Sequence, residues 1–581
     1  MNKKNTIVKW RIYLVLIGFL LVTLVIVAQL YRIQIIHGEN YSNRADKQHI
    51  RPTANIFDRG SIYFTDKDGN KIDAAGLKTG YTIAISPKNI IYPEDVFNNL
   101  GFHLDIDEEF YASRAEKSDD PYEEIAKRVP YDVGQSIFDL NMEGVSVIKE
   151  NWRFYPGKDL AAHALGFISW NKDELRGQYG LERYYEETLQ RNHDAVFSNF
   201  FAEIFSNTSD VINNKKNLEG SLVTTINPEV QNFVQDEIKV IQNEWNSKQI
   251  GIVVMRPDNG EIVSMGLYPD FDLNEFSQVE NVSVYQNHLV ESVYEMGSIV
   301  KPLTVAIGLD NNSITPDTTY NDKGSLTLNN YTIYNYDKKA RGVVNMQEIL
   351  NQSLNLGVSF IVSEVGNDKF AEYMKNIFSG KTAIDLPNES APLIANLDSP
   401  RDIELATASF GQGIAMSPIA ITRALATLGN GGKLVQPHLV KEIEYELGFA
   451  KEISITDPVQ IFKPETSEEI SRMLVKVVDD ALRGGTVALN NHSIAAKTGT
   501  AQIASPDGGY YEDKYLHSFF GYFPAYEPEY LVFLYHIEPQ GARYASETLT
   551  EPFMNITKFL INHYEIRPDR DIINEQDEGN N

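Results

Sequence analysis

The chain has 581 residues, 42% of them apolar and 11% aromatic, enough for two or three domains with sizeable cores. Its formal net charge of −28 sets it against a nucleic-acid backbone as partner. It contains no cysteine, which excludes disulfides, thiolate metal sites, a cysteine nucleophile and a lipid-modified N-terminal cysteine.

Residues 1–11 carry Lys3, Lys4, Lys9 and Arg11 and no acidic residue, and Ile12 to Tyr31 then runs without a charge. At about 1.5 Å per residue this run crosses a hydrocarbon core of roughly 30 Å. The pattern predicts a cytoplasmic tail (1–11) and a single-pass plasma-membrane anchor (12–36), with the remaining chain extracytoplasmic. A cleaved signal peptide fits less well, because the apolar run is long and no A-x-A-like site follows Leu30.

Residues 37–220 read as a non-catalytic pedestal. Ile62-Tyr63 followed by Asp66-Lys67-Asp68-Gly69-Asn70 predicts a strand running into a tight turn. Tyr81 to Ser86 is strand-like, Asp105 to Lys127 reads as a solvated helical excursion, and a helix is expected from Tyr179 to about Gln190. His163 and His193 stand alone and read as structural or surface residues.

A second domain is expected over 221–566. Ser221 to Ile226 predicts a strand and Glu229 to Glu244 a helix. Gly251 to Met255, Asp258-Asn259-Gly260 and Glu261 to Met265 form a strong hairpin signal. Asn345 with Glu348 looks like a helix N-cap pair. Ile494 to Ile503, His517 to Phe523 and Tyr530 to Glu538 read as strands, and Pro552 to Tyr564 as an amphipathic helix. The order is an α+β layout around one antiparallel sheet. The polar end, 567–581, is expected to be a disordered tail.

Three Ser-x-x-Lys pairs occur: Ser146/Lys149, Ser169/Lys172 and Ser298/Lys301. Chance alone gives about two in a chain of this size, so physical setting must choose among them. A serine nucleophile needs a base, and lysine serves only when neutral. Its pKa must fall by about three units, roughly 4 kcal/mol, which requires burial and a neighbouring cation. Lys149 and Lys172 stand beside carboxylates in polar segments, whereas Lys301 is flanked by Ile299, Val300, Leu303, Val305, Ala306 and Ile307. Pro302 is tolerated only if a helix starts near Ser298, which puts Lys301 one turn from it on the same face. Ser353 and Asn355 suit a loop facing that helix end, Ser353 as a proton relay and Asn355 as a hold on Lys301 or on a substrate amide. Lys497-Thr498-Gly499-Thr500 lies on a strand of small residues. There Gly499 would leave room for a peptide to pair along the edge. Lys497 would attract a carboxylate and depress Lys301, and the N–H groups of Ser298 and Thr500 could form an oxyanion hole. A second Lys-Thr-Gly, Lys78-Thr79-Gly80, has no nucleophile candidate near it.

Ser298-x-x-Lys301, Ser353-x-Asn355 and Lys497-Thr498-Gly499, in this order, resemble the penicillin-binding and serine β-lactamase superfamily. Arg59-Gly60-x-Ile62, Gly180-Leu181-Glu182, Pro257-x-x-Gly260-Glu261, Ser409-Phe410-Gly411-Gln412-Gly413 and Ser518-Phe519-Phe520-Gly521 extend the likeness to class B penicillin-binding proteins, the septal type more than the elongation type. Two positions depart from the family pattern: Met296 stands where proline is usual, and Leu354 where a small residue or cysteine is common.

The resemblance implies a transpeptidase domain, an antiparallel sheet flanked by helices, on an elongated pedestal of dimerisation type. It implies a D,D-transpeptidase that cross-links peptidoglycan stem peptides through an acyl-enzyme on Ser298 and is inhibited by β-lactams, without metal or cofactor. Lys301 would be the base, Ser353 the relay, and Lys497 and Thr498 the carboxylate site, assisted by Thr500. Implied partners are a SEDS-type membrane glycan polymerase and divisome or elongasome proteins. The alternatives are a D,D-carboxypeptidase or β-lactamase of the same fold, or a non-catalytic divisome scaffold or β-lactam sensor.

Overall fold

A computed structural model describes residues 57–171, 174–191, 219–446, 448–506 and 508–570. The anchor at 12–36, His193 and Lys172 lie outside these residues; no described helix is long and apolar enough to cross a membrane. The chain forms two compact units, one containing residues 77–152 and the other 59–76 with 153 onward.

In the smaller unit the strand Lys71–Ile85, from Leu77 on, pairs antiparallel with Glu123–Pro130. Its core is Ile83, Ile85, Leu100, Ile125, Val129 and Ile137. The helix Glu108–Ala115 is capped by the Asp107 carboxylate, which accepts the Phe110 N–H at 2.7 Å. The expected helical excursion ends there: Glu123–Pro130 is a strand, because Ile125 and Val129 must reach the core from an extended segment of alternating burial.

The larger unit opens on Ile62–Thr65, which pairs parallel with Gly220–Thr224. The strand expected at Ser221 to Ile226 therefore exists, but in a sheet separate from the one that carries the site motifs. The helix expected from Tyr179 is broken into Gly180–Tyr184 and Glu186–Leu189.

Helix α1 (Pro228–Trp245) starts where the Asn227 side chain accepts the N–H groups of Glu229 and Val230, with Pro228 in the first turn. The hairpin β1 (Gln249–Met255) and β2 (Ile262–Tyr268) follows. Helices α2 (Lys301–Asp310) and α3 (Asn355–Val365) come next. Strands β3 (Ala495–Ala504), β4 (Tyr510–Phe523) and β5 (Tyr530–Ile537) and helix α4 (Thr550–His563) close the unit.

The five strands form one antiparallel sheet, as the sequence predicts, in the order β3-β4-β5-β1-β2. Alternation along the strands buries both faces. Ile250, Ile252 and Val254 pack with Val234, Ile238 and Phe553 of α1 and α4, while Val253, Met255, Phe520 and Phe533 join the core containing α2 and α3. Strand β3 lies at the sheet edge. The start of the expected tail is tied down: Asp569 accepts the Ser493 N–H at 2.7 Å and Arg570 pairs with Asp479 at 2.8 Å. Residues 571–581 lie outside the described chain.

Candidate active site

The nucleophile turn is a short 3-10 segment, Gly297–Val300, that runs directly into α2. Pro302 sits in the first turn of α2, where no intrahelical N–H is lost, so the helix starts as the sequence predicts. Three contacts fix the turn. Gly297 N–H donates to the Gly411 carbonyl at 3.3 Å, Ser518 Oγ donates to the Met296 carbonyl at 3.1 Å, and Thr304 Oγ1 donates to the Ser409 carbonyl at 2.7 Å. The Ser409–Gly413 and Ser518–Gly521 motifs therefore hold the nucleophile turn.

Lys301 is fully buried. Its Nζ donates to the Ser353 carbonyl at 2.5 Å and to Ser353 Oγ at 3.1 Å. Burial, and then the charge of Lys497, push its pKa well below the ordinary lysine value. This is the dry setting and neighbouring cation that a lysine base requires. Among the described residues no hydrogen bond joins Lys301 to Ser298 Oγ; the lysine rests on Ser353. Ser353 adopts a left-handed backbone (φ 54°) just before α3, which turns its carbonyl and hydroxyl together toward Nζ.

Asn355 does not hold Lys301. As the first residue of α3 it donates from Nδ2 to the Tyr334 carbonyl at 2.9 Å. Lys497 is buried, its Nζ donates to the Thr498 carbonyl at 3.0 Å, and burial brings its pKa down to about 8. Thr498 and Thr500 are partly exposed on β3, and Thr500 Oγ1 accepts the Ala545 N–H at 3.0 Å.

Gly499 has a different reason from the one expected. A Cβ there would lie 2.4 Å from Ser518 Oγ and 3.0 Å from both the Met296 carbonyl and Ile299. The space it leaves is taken by β4 and the nucleophile turn, not by a substrate backbone. The same close fit sets Gly297, the residue before Ser298, against β3: a Cβ on Gly297 would lie 3.3 Å from the Thr500 carbonyl.

The rival motifs are not assembled in this way: Lys149 and Lys78 are exposed on their strands. Glu404 is committed to an ion pair with Arg401 at 3.0 Å. Sequence reasoning missed Glu295, whose carboxylate accepts the Gly413 N–H at 3.1 Å and the Tyr510 hydroxyl at 2.8 Å. No sequence signal links Glu295 to Tyr510, 215 residues away.

A sheet packed between helices, with a serine at a helix start, a buried lysine beside it and a second lysine on the edge strand, defines a serine acyl-transfer fold. Residues 250–558 match the family described as the penicillin binding protein transpeptidase domain, and residues 57–196 the penicillin-binding protein dimerisation domain. The chain belongs to the penicillin-binding protein transpeptidases, and the pairing of these two domains makes it a class B member. It is 27% identical to stage V sporulation protein D of Bacillus subtilis, over 100% of this chain and 90% of that one. It is also 27% identical to a peptidoglycan D,D-transpeptidase FtsI homolog of Mesostigma viride, over 98% of each. The fold resembles penicillin binding protein 3 of Mycobacterium tuberculosis in complex with aztreonam, with a TM-score of 0.66 at 21% identity, covering 89% of this chain and 98% of the other.

Proposed function

We propose that this serine D,D-transpeptidase works through Ser298 as the acylated nucleophile, on peptidoglycan stem peptides ending in D-Ala-D-Ala. The observation that carries the reading is the buried Lys301, depressed by its surroundings and resting on Ser353, three residues from Ser298. Ser298 Oγ attacks the penultimate carbonyl while neutral Lys301 takes its proton, directly or through Ser353. The oxyanion is held by the N–H groups of Ser298 and Thr500. Ser353 passes a proton to the departing D-Ala nitrogen, and the C–N bond breaks. An amine from a neighbouring stem then attacks the ester, forming the new amide and returning the proton to Ser298. Protonated Lys497, with the hydroxyls of Thr498 and Thr500, binds the terminal carboxylate. Asn355, its Nδ2 committed to Tyr334, offers Oδ1 to the substrate amide.

The anchor at 12–36, the pedestal at 37–220 and the transpeptidase domain at 221–566 would hold this site extracytoplasmic, beside a SEDS-type glycan polymerase and divisome partners. The uncharged run from Ile12 to Tyr31 supports the anchor, and the likeness to relatives named FtsI supports the septal type. The full chain, incubated with a stem pentapeptide and an acceptor amine, is expected to release D-Ala and form the amide. Ser298→Ala should do neither. Release of D-Ala with no amide would make it a carboxypeptidase, and full activity in Ser298→Ala would overturn the assignment.

A further inference from the structure

Behind Thr500 lies a buried polar chain that the reaction steps leave unused. His517 on β4 is the cross-strand partner of Thr500 on β3 and of His536 on β5. Both histidines are fully buried, and Ser247 and Thr548 nearly so. Four hydrogen bonds join them in a line. Ser247 Oγ meets His536 Nδ1 at 2.8 Å, and His536 Nε2 meets Thr548 Oγ1 at 2.9 Å. Thr548 Oγ1 meets His517 Nδ1 at 3.0 Å, and His517 Nε2 meets the Arg543 carbonyl at 3.1 Å.

Burial keeps both rings neutral, His517 with a pKa brought down to about 4 and His536 well below the ordinary value. One set of proton positions then satisfies every atom in the line. The Arg543 carbonyl only accepts, so His517 carries its proton on Nε2 and accepts at Nδ1. Thr548 must donate to that Nδ1, and therefore accepts from His536 Nε2–H. His536 Nδ1 is left to accept from Ser247. The Ala545 carbonyl, 3.5 Å from Thr548 Oγ1, is a poorer acceptor, and giving it the proton would leave His517 Nδ1 buried without a partner. These proton positions follow from the network they complete.

This line fastens the segment 543–548 at both ends, by the Arg543 carbonyl and the Thr548 hydroxyl. The Glu547 carboxylate adds two more bonds, accepting the N–H groups of Arg543 and Tyr544, each at 3.1 Å. From the middle of the segment the Ala545 N–H donates to Thr500 Oγ1 at 3.0 Å. A hydroxyl has one proton to give. With an acceptor position filled by Ala545, the Thr500 proton is left to be donated to an anion in the cleft.

We propose that Thr548, His517 and His536 are positioning residues for the carboxylate site. By fixing residues 543–548 they hold the Ala545 N–H against Thr500, and so orient the Thr500 hydroxyl as a donor to the terminal carboxylate of the substrate. This rests on the proposed role of Thr500 in carboxylate binding.

The test compares acylation of the full chain by benzylpenicillin and by its methyl ester, read as the preference for the acid. Losing a hydrogen bond to a charged group should lower that preference about tenfold in Thr548→Val. Thr548→Ser, which keeps the hydroxyl, should restore it. Thr500→Val combined with Thr548→Val should lose no more than Thr500→Val alone. If Thr548→Val does not fold, Ala545→Pro removes the single N–H that reaches Thr500. Ala545 opens a short helix and Tyr544 before it is extended (φ −121°, ψ 141°), so the backbone accepts proline there; the same tenfold loss is expected. An unchanged preference in a folded variant, an equal loss for acid and ester, or a further loss in the double variant would overturn the proposal. Those results leave the Ser298 assignment standing, whereas a wild-type chain that neither compound acylates would contradict that assignment itself.

Discussion

In the proposed reaction two buried lysines have opposite duties. Lys301 must be neutral to take the Ser298 proton, and burial together with the Lys497 charge drives it that way. Lys497 must stay protonated to bind a carboxylate, and burial alone brings it down to about 8. Acylation by a carboxylate-bearing β-lactam should therefore rise with pH as Lys301 loses its proton, then fall above about pH 8 as Lys497 loses its own. In Lys497→Arg, slower though it will be, the alkaline fall should vanish, because guanidinium stays charged. Stopped-flow acylation rates across the range check this; a fall that stays near pH 8 in the variant would assign it to another group. The same depression has a stability cost. As pH drops from 10.5 to about 8 the unfolded lysine takes up a proton that the folded one refuses, so stability declines across that window and the penalty is complete below it. It amounts to about 3 kcal/mol. Lys497→Met should thus raise Tm at neutral pH while abolishing the preference for carboxylate-bearing β-lactams.

At the scale of elements, the site is a junction of β3, β4 and the nucleophile turn, and Gly499 sets its tightness. Gly499→Ala would press Cβ onto Ser518 Oγ and the Met296 carbonyl, pushing the turn off the strand. We expect a stability loss of about 1–3 kcal/mol and a fall of at least tenfold in acylation rate, since a shift on the order of 1 Å is enough to misplace a nucleophile. Thermal melts and penicillin acylation measure the two; a variant acylated at the wild-type rate would show that the close fit is not functional. Much of this junction was legible in the sequence. The apolar flank of Lys301 and the position of Pro302 gave the helix start and the dry lysine, and the hairpin signal at Asp258-Asn259-Gly260 with the order of the apolar strands gave the antiparallel sheet. What was not legible depends on distant backbones. Asn355 turned from Lys301 to the Tyr334 carbonyl, Ser221 joined another sheet, and the room at Gly499 went to Ser518. None of these contacts leaves a local pattern, because each partner comes from a different element.

For the whole molecule, the larger unit ties the pedestal motifs into a buried ion network. Arg59 and Arg153 each donate from Nε to the Glu182 carboxylate at 2.6 Å, and Arg59 also reaches Glu186 at 2.6 Å. Burial alone would raise the Glu182 carboxyl, but the two guanidinium charges outweigh it and hold it below its ordinary value. This explains why Arg59-Gly60 and Gly180-Leu181-Glu182, far apart in sequence, belong to one recognisable pattern. The anchor proposed at 12–36 would make the site a tethered one. The full chain should sediment with membranes and resist alkaline carbonate, while a chain beginning at residue 37 should be found in the soluble fraction; carbonate release of the full chain would contradict a spanning segment. In the proposed reaction Ser298 carries the acyl group. Benzylpenicillin-treated full-length protein, digested and mapped by mass spectrometry, should carry one penicilloyl adduct, on the peptide containing Ser298, and none in Ser298→Ala. An adduct on Ser353 or elsewhere, or one that persists in Ser298→Ala, would contradict it.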